Sequence, residues 1–284
     1  MWHRWLKPKK KNITPLAYEF VVSVQTDVGC RRESNEDAGR CVKPHDPELL
    51  SNKGVLVMVA DGMGGYAAGE VASRLAVDVI SRAYYEEKVT APVALKKAFE
   101  QANRAIYEQA RKDETLKGMG TTCTALVLQN RSAFAAHVGD SRLYLVRDDA
   151  IYQQTEDHSA VREMVKRGLL SVAEAQRHPE RNVLVRAMGR HPNVEVVVWE
   201  EPLSVCAGDR FLLCSDGLHD LVTDEEMKQA VLDNDPPAAC ERLIALAKQR
   251  GGHDNITVGV VQVQPVGEDA PVNMPKTRQV EVRL

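Results

Sequence analysis

Aromatic residues make up only 5% of this 284-residue chain. So few rings leave little for a base-stacking platform. No charge of one sign dominates either: 37 Lys and Arg stand against 40 Asp and Glu, a net of −3. That balance excludes the broad positive field of a typical nucleic-acid binder. No uninterrupted apolar stretch approaches the roughly 18 residues of a membrane-spanning helix, so neither a membrane span nor a nucleic-acid partner is expected. The six cysteines, Cys30, Cys41, Cys123, Cys206, Cys214 and Cys240, include no C-x-x-C pair. This argues against a zinc ribbon or a thioredoxin-type redox pair. Several lie in apolar runs, as Cys214 does in Phe211-Leu-Leu-Cys. Reduced, buried thiols are the simplest reading, and a cytoplasmic location is expected. The basic N-terminus has no apolar core of the kind a secretory signal needs.

What is present is a foldable composition. Hydrophobic residues reach 44% and charged residues 27%, enough to bury a core without disulfides or structural metals. Residues 1–17 carry Arg4, Lys7, Lys9, Lys10 and Lys11, with Trp2 and Trp5 interspersed. They read as a basic solvated tail, with contact to a membrane surface or an acidic partner as the other possibility. Residues 265–284 contain Pro265, Pro271 and Pro275 without a sustained period and read as a second tail. Residues 18–264 show no linker and are expected to form one domain.

Within that domain, strand-like runs are expected at Phe20–Val24, Val55–Ala60, Thr122–Leu128, Ala133–Val138, Leu143–Val146, Ile151–Gln154, Val194–Trp199, Arg210–Cys214 and Ile256–Val263. Helices are expected at Ala67–Tyr85, with Val71, Leu75, Val79 and Ala83 on its apolar face, and at Ala91–Arg111, Glu225–Leu232 and Pro237–Lys248. Ser159–Glu180 reads as two helical pieces broken at Gly168 and Pro179. Two long helices cannot cross over a parallel sheet once per strand, and the links between strands are short and polar. Packed antiparallel sheets covered by helices are therefore expected, an α+β fold.

The aspartates carry the chemical signal. Asp61 follows the apolar run Val55–Ala60 and precedes Gly62-Met-Gly-Gly. Asp140 follows Ala135-Ala-His-Val-Gly, and Asp216 follows Phe211-Leu-Leu-Cys-Ser. Asp254 precedes Asn-Ile-Thr-Val, and Asp37 ends Arg32-Glu-Ser-Asn-Glu-Asp. An isolated Asp-Gly is most often a turn. Several carboxylates at strand ends can instead gather at one point, where they would repel unless a cation lay between them. Mg²⁺ and Mn²⁺ prefer such oxygen donors. Two such ions about 3.5–4 Å apart acidify a shared water, which suits hydrolysis of a phosphate ester. Arg32, five residues before Asp37, has the fork to bind two phosphate oxygens, or is a surface arginine like its neighbour Arg31.

These segments resemble the metal-dependent serine/threonine protein phosphatases of the phosphatase 2C (PPM) family, in its bacterial form. The matching residues are Arg32–Asp37, Val59–Gly65, Gly69–Ser73, Gly120–Thr122, Val138–Arg142, Asp157–Ser159, Cys214–Leu218 and Asp254–Thr257, in the family's order. The resemblance implies a four-layer α-β-β-α sandwich of two antiparallel sheets flanked by helices, with a flap subdomain at about 165–181. It implies two Mn²⁺ or Mg²⁺ ions bridged by Asp61, with the Gly62 carbonyl, Asp37, Asp216 and Asp254 as further ligands. Asp140, with Asp216, would hold a third and weaker ion, and Arg32 would clamp the substrate phosphate. The implied reaction is direct attack of a metal-bridging hydroxide on phosphoserine or phosphothreonine. Phosphorylated proteins are the implied partners, with a bacterial Ser/Thr protein kinase as the opposing enzyme, and a monomer is expected.

The chain departs from the family at two positions. Eukaryotic-type members carry His where Met63 stands, and many bacterial members carry His where Tyr66 stands. His253, next to Asp254, and His137, three before Asp140, could replace them as the leaving-group acid, or they order their own loop and strand, and a metal-bound water is the other candidate. Other readings are a catalytically weak phosphate-sensing or partner-binding module on this fold, and a hydrolase of small phosphates.

Overall fold

Every residue of Val55–Ala60 is buried, and its alternating side chains serve two different cores. A strand buried on both faces needs a layer on each side. The computed structural model of the chain supplies them, and it describes residues 17–64, 68–175 and 177–266.

In chain order the first elements are β1 (Tyr18–Asp27), β2 (Ala38–Val42), α1 (Pro47–Lys53), β3 (Val55–Ala60) and β4 (Gly62–Met63). Two long helices follow, α2 (Ala68–Glu86) and α3 (Ala91–Lys112). Then come β5 (Gly120–Thr121), β6 (Cys123–Gln129), β7 (Ser132–Val138), β8 (Arg142–Arg147) and β9 (Ala150–Gln153). Two short helices, α4 (Ala160–Lys166) and α5 (Val172–Ala175), precede β10 (Val197–Val198), β11 (Leu203–Ser204) and β12 (Arg210–Cys214). The last elements are α6 (Asp216–His219), α7 (Asp224–Asp233), α8 (Pro236–Gln249) and β13 (Ile256–Pro265).

One antiparallel sheet has the order β1-β13-β12-β8-β9 and the other β10-β7-β6-β3-β2, with β11 also on β7. β1 and β13 pair from Tyr18↔Pro265 to Asp27↔Ile256, so the ends of the described chain close one sheet. Val55, Val57, Val59, Leu126, Phe211, Leu213 and Val261 fill the space between the sheets. The opposite face of the β3 sheet packs on α2 and α3 through Leu56, Met58, Ile80, Leu95, Phe99 and Ile106. The opposite face of the β12 sheet packs on α6, α7 and α8 through Leu212, Met227, Leu243 and Val258. The four-layer α-β-β-α sandwich is thus observed.

Local chemistry explains the helix ends. In α8 the Asp235 side chain accepts from the Ala238 N–H, and two prolines open the first turn. Thr223 and Glu226 form a reciprocal capping box on α7. In α2 the fully buried stripe runs through Ala72, Ala76 and Ile80, while Val71, Leu75 and Val79 are only partly buried. The apolar face is therefore rotated from the one expected. Small alanines let α2 approach α3, where Ala94, Ala98 and Ala102 are likewise buried, and close approach decides the face ahead of residue hydrophobicity.

The strand expected at Val194–Trp199 shrinks to β10, with β11 separate, both on the edge of β7. β2 and α1 lie outside the expected elements. Residues 159–180 do contain two helical pieces, the first stopping before Gly168 at φ 68° and the second only four residues long. Most of the two expected tails, and Tyr66, lie outside the described residues.

Candidate active site

In an antiparallel sheet, the end of one strand lies beside the start of its neighbour. Asp61 leaves β3 where Asp37 enters β2, since Ala60 pairs with Ala38. Asp216 leaves β12 where Asp254 approaches β13, since Cys214 pairs with Val258. Asp140 leaves β7 next to the start of β6, where Cys123 pairs with Val138. The five aspartates expected from sequence thus gather along one edge of the sandwich.

Main-chain and hydroxyl contacts fix each one. The Asp61 N–H donates to Thr122 Oγ1 at 3.0 Å, and its carbonyl accepts from the Thr122 N–H and Thr121 Oγ1, both at 2.9 Å. Thr122 Oγ1 lies 2.6 Å from Ser141 Oγ, which ties the Asp61 turn to the residue after Asp140. The Asp140 carbonyl lies 3.1 Å from His219 Nε2, on the helix that begins at Asp216. Ser215 Oγ donates to Asp37 Oδ2 at 2.7 Å and accepts from the Thr257 N–H at 3.0 Å. A Cβ on Gly62 would fall 2.2 Å from the Gly69 carbonyl oxygen and 2.4 Å from that of Glu36, so only glycine admits this crossing.

Asn255 was not singled out by sequence, yet its amide makes three tethers. Oδ1 accepts from the Glu36 N–H at 2.8 Å, and Nδ2 donates to the Val28 and Ser34 carbonyls at 3.0 Å. These hold the loop that bears Arg32. Arg32 Nη2 reaches Asp254 Oδ2 at 2.7 Å while its side chain stays 51% exposed. Ser73 Oγ completes the clamp by donating to the Glu36 carbonyl at 2.5 Å.

The electrostatics are those of acids forced together. Burial pushes Asp37 up to about 7, with the neighbouring Asp216 and Asp254 adding to the shift and Ser215 and Thr257 opposing it. Burial also raises Asp61, where Asp37, Asp216 and Asp140 add to it. Asp140 rises through burial and then Asp216, and Asp216 rises through burial against the pull of His219. Asp61 and Asp216 thus each lie among carboxyls that hold their protons more tightly than a free aspartate does. Arg32 shifts upward through its bond to Asp254.

The donor set fits divalent cations. All the acidic donors are oxygens, the choice of Mn²⁺ and Mg²⁺ rather than of thiolate-seeking metals. Asp216 Oδ1 is buried without a hydrogen-bond partner, an acceptor that a cation would satisfy. As they stand, no three His, Cys, Asp or Glu side chains among the described residues are spaced to hold an ion. Asp37 and Asp254 spend oxygens instead on Ser215 and Arg32.

A family model described as protein phosphatase 2C matches residues 35–234. The chain belongs to the protein phosphatase 2C family. It is an enzyme of the serine/threonine protein phosphatase class. The phosphatase is similar to the serine/threonine phosphatase stp of Listeria innocua serovar 6a, with 37% identity over 254 residues, 87% of this chain and 98% of that protein. It is also similar to the crystal structure of the Mycobacterium tuberculosis serine/threonine phosphatase PstP/Ppp, with a TM-score of 0.77 and 36% identity, covering 86% of this chain and 99% of that one. The catalytic domain of PstP in complex with two manganese ions gives a TM-score of 0.73 at 34% identity, covering 86% of this chain and 98% of that one.

The two histidines considered as acids differ in their surroundings. His137 is buried, its Nδ1 2.8 Å from Thr124 Oγ1 and its Nε2 3.2 Å from the Glu156 carbonyl, and burial holds it down to about 4. It is a structural residue of β7. His253 is exposed on the loop before Asp254.

Proposed function

We propose that the phosphatase removes phosphate from phosphoserine and phosphothreonine in proteins, with Mn²⁺ or Mg²⁺ as cofactor. Two cations held by Asp37, Asp61, Asp216 and Asp254 with the Gly62 carbonyl, and a third and weaker one by Asp140 with Asp216, are the reading that the carboxylate edge supports. When bound, such ions supply Lewis acidity toward phosphate oxygens and acidify water into a nucleophile near neutral pH. Asp61 and Asp216, whose carboxyls burial raises, would hold such ions in their deprotonated forms. Arg32 sits on the exposed rim, paired with Asp254, and swings its free guanidinium edge onto the phosphate. The ester P–O bond breaks, the water oxygen joins phosphorus, and the departing alkoxide takes a proton to become the Ser or Thr hydroxyl. The expected partners are phosphorylated proteins and a Ser/Thr kinase that opposes this enzyme. Residues 18–264 form the catalytic unit, with the flap at about 165–181 beside the site, acting as a monomer in the cytoplasm. Among the described residues no helix is long and apolar enough to cross a membrane.

The single observation behind this reading is the convergence of five aspartates, with Arg32 2.7 Å from one of them. The test is release of phosphate from a phosphothreonine peptide with Mn²⁺, with EDTA, and with Asp61→Ala or Asp216→Ala. Turnover is expected only with metal and intact carboxylates. Normal turnover by either variant at saturating Mn²⁺ would refute the assignment. Arg32→Ala should raise KM for the peptide more than for a small aryl phosphate.

A further inference from the structure

Val183 and Val185 leave 50% and 54% of their surface exposed on a segment that is extended and half-paired. The Ala160 N–H donates to the Val183 carbonyl and the Val185 N–H to the His158 carbonyl, making Ser159↔Leu184 an antiparallel bridge. In that pattern the N–H and C=O of Leu184 point away from residues 158–160. Neither has a hydrogen-bond partner among the described residues. The segment therefore presents an open strand edge between two exposed valines.

Its position ties it to the active site from two directions. His158 donates its N–H to the Gly139 carbonyl and accepts the Gly139 N–H on Nδ1, so it lies directly beside Asp140. Further along, Met188 and Thr121 exchange both main-chain hydrogen bonds, and Thr121 Oγ1 holds the Asp61 carbonyl. At a strand spacing of about 4.8 Å, a chain added to the Leu184 edge would lie roughly 14 Å from Gly139. About four extended residues span that distance.

We propose that this edge docks the phosphoprotein substrate. An extended segment about four residues from the phosphorylated Ser or Thr pairs with the Leu184 N–H and C=O and lays an apolar side chain on Val183 and Val185. This inference rests on the phosphopeptide reading above and adds a sequence preference to it. Main-chain pairing gives affinity to any extended substrate, and the two valines select an apolar residue.

The test uses the full chain with Mn²⁺ and a phosphothreonine peptide panel in which one Ile is moved along an otherwise Ser- and Gly-rich sequence. One placement, about four residues from the phosphothreonine, should raise kcat/KM about tenfold, the worth of a partly buried aliphatic side chain. The Val183→Ser/Val185→Ser variant should lose that preference while hydrolysing a small aryl phosphate as the wild type does. N-methylation of the peptide bond at the Ile should cost the wild type a comparable factor. A flat panel with good peptide turnover would overturn the docking edge and leave the phosphatase reading intact. So would an equal Ile preference in the variant. Turnover of aryl phosphate but of no peptide would overturn both. A concentration-dependent dimer that the double variant abolishes, with a flat panel, would assign the edge to a second copy of the chain instead.

Discussion

Ser215 Oγ donates a 2.7 Å hydrogen bond to Asp37 Oδ2 from 178 positions away, and the Thr257 N–H holds that hydroxyl in place at 3.0 Å. One hydroxyl thus links the exit of β12, the entry of β13 and the entry of β2. It leaves the Asp37 carboxylate one aimed oxygen. Ser215→Ala would free the carboxylate to rotate and leave the Thr257 N–H unpaired. The expected outcome is a rise of about tenfold in the Mn²⁺ concentration needed for half activity, with little change in kcat at saturating metal. Calorimetric Mn²⁺ titration checks it, and an unchanged affinity would contradict the positioning role.

Asn255 offers a separable test, because its two amide ends do different work. Asn255→Asp keeps the acceptor for the Glu36 N–H and removes the donors to Val28 and Ser34. Asn255→Ala removes all three and strands buried polar groups, at roughly 2–4 kcal/mol of stability. The aspartate variant should fold with a smaller loss yet show a raised KM for phosphopeptide, since the Arg32 loop loses its tethers. Thermal melts beside KM and kcat on one phosphopeptide distinguish the two. Parallel losses in both variants would mean that Asn255 only stabilises the fold.

The sandwich was legible because β3, β6, β12 and β13 are continuous apolar runs and α2 and α3 are long and periodic. Asp61, Asp140, Asp216 and Asp254 stood out because each follows or precedes a strand-like run, whereas Asp37 stood out only within the segment Arg32–Asp37. The partners that aim them lie inside the matching segments Gly120–Thr122, Cys214–Leu218 and Asp254–Thr257, but nothing in the sequence assigned them a role. Ser215, Thr122 and Asn255 are common polar residues whose role depends on contacts up to 227 positions apart in the chain. No local period or spacing reports that. β2 was hidden because Ala38-Gly-Arg-Cys-Val has neither an alternating nor a continuous apolar pattern, and the β3 neighbour supplies its pairing. The α2 face was misplaced because alanine scores as weakly apolar although it allows the closest helix contact.

Gly217 tests how tightly the two halves of the site are packed. A Cβ there would lie 2.0 Å from the Asn255 carbonyl oxygen, a backbone atom that cannot move without dragging Asp254. Gly217→Ala should therefore cost about 1–3 kcal/mol from overpacking. It should also reduce turnover at least tenfold by separating Asp216 from Asp254, since small displacements at a reacting centre are costly. The melting temperature and kcat with saturating Mn²⁺ would be measured together. A stable variant with full kcat would show that the separation between these two aspartates has slack.

Cation removal should invert the way the site carboxyls contribute to stability across pH. Burial and mutual repulsion raise Asp37 from 3.8 to about 7, and raise Asp61, Asp140 and Asp216 in the same direction. A carboxyl whose folded value is raised binds its proton more tightly in the folded chain than in the unfolded one. Its contribution to stability is complete below 3.8 and is lost as the pH rises through about 7. The EDTA-treated enzyme should accordingly lose that contribution between 3.8 and about 7, read as a narrowing gap in melting temperature to an Asp37→Asn variant, because Asp157, Asp220 and Glu226, held below their ordinary values, move the whole enzyme the other way. Cations reverse the sign, because they bind the deprotonated carboxylates and release the protons. With Mn²⁺ the melting temperature should rise over the same window, and protons should be released on titration. A gap between the metal-free enzyme and the Asp37→Asn variant that stays constant between these two pH values would mean that Asp37 stays ionised. That outcome would remove the electrostatic argument for a cation-filled site at the sandwich edge.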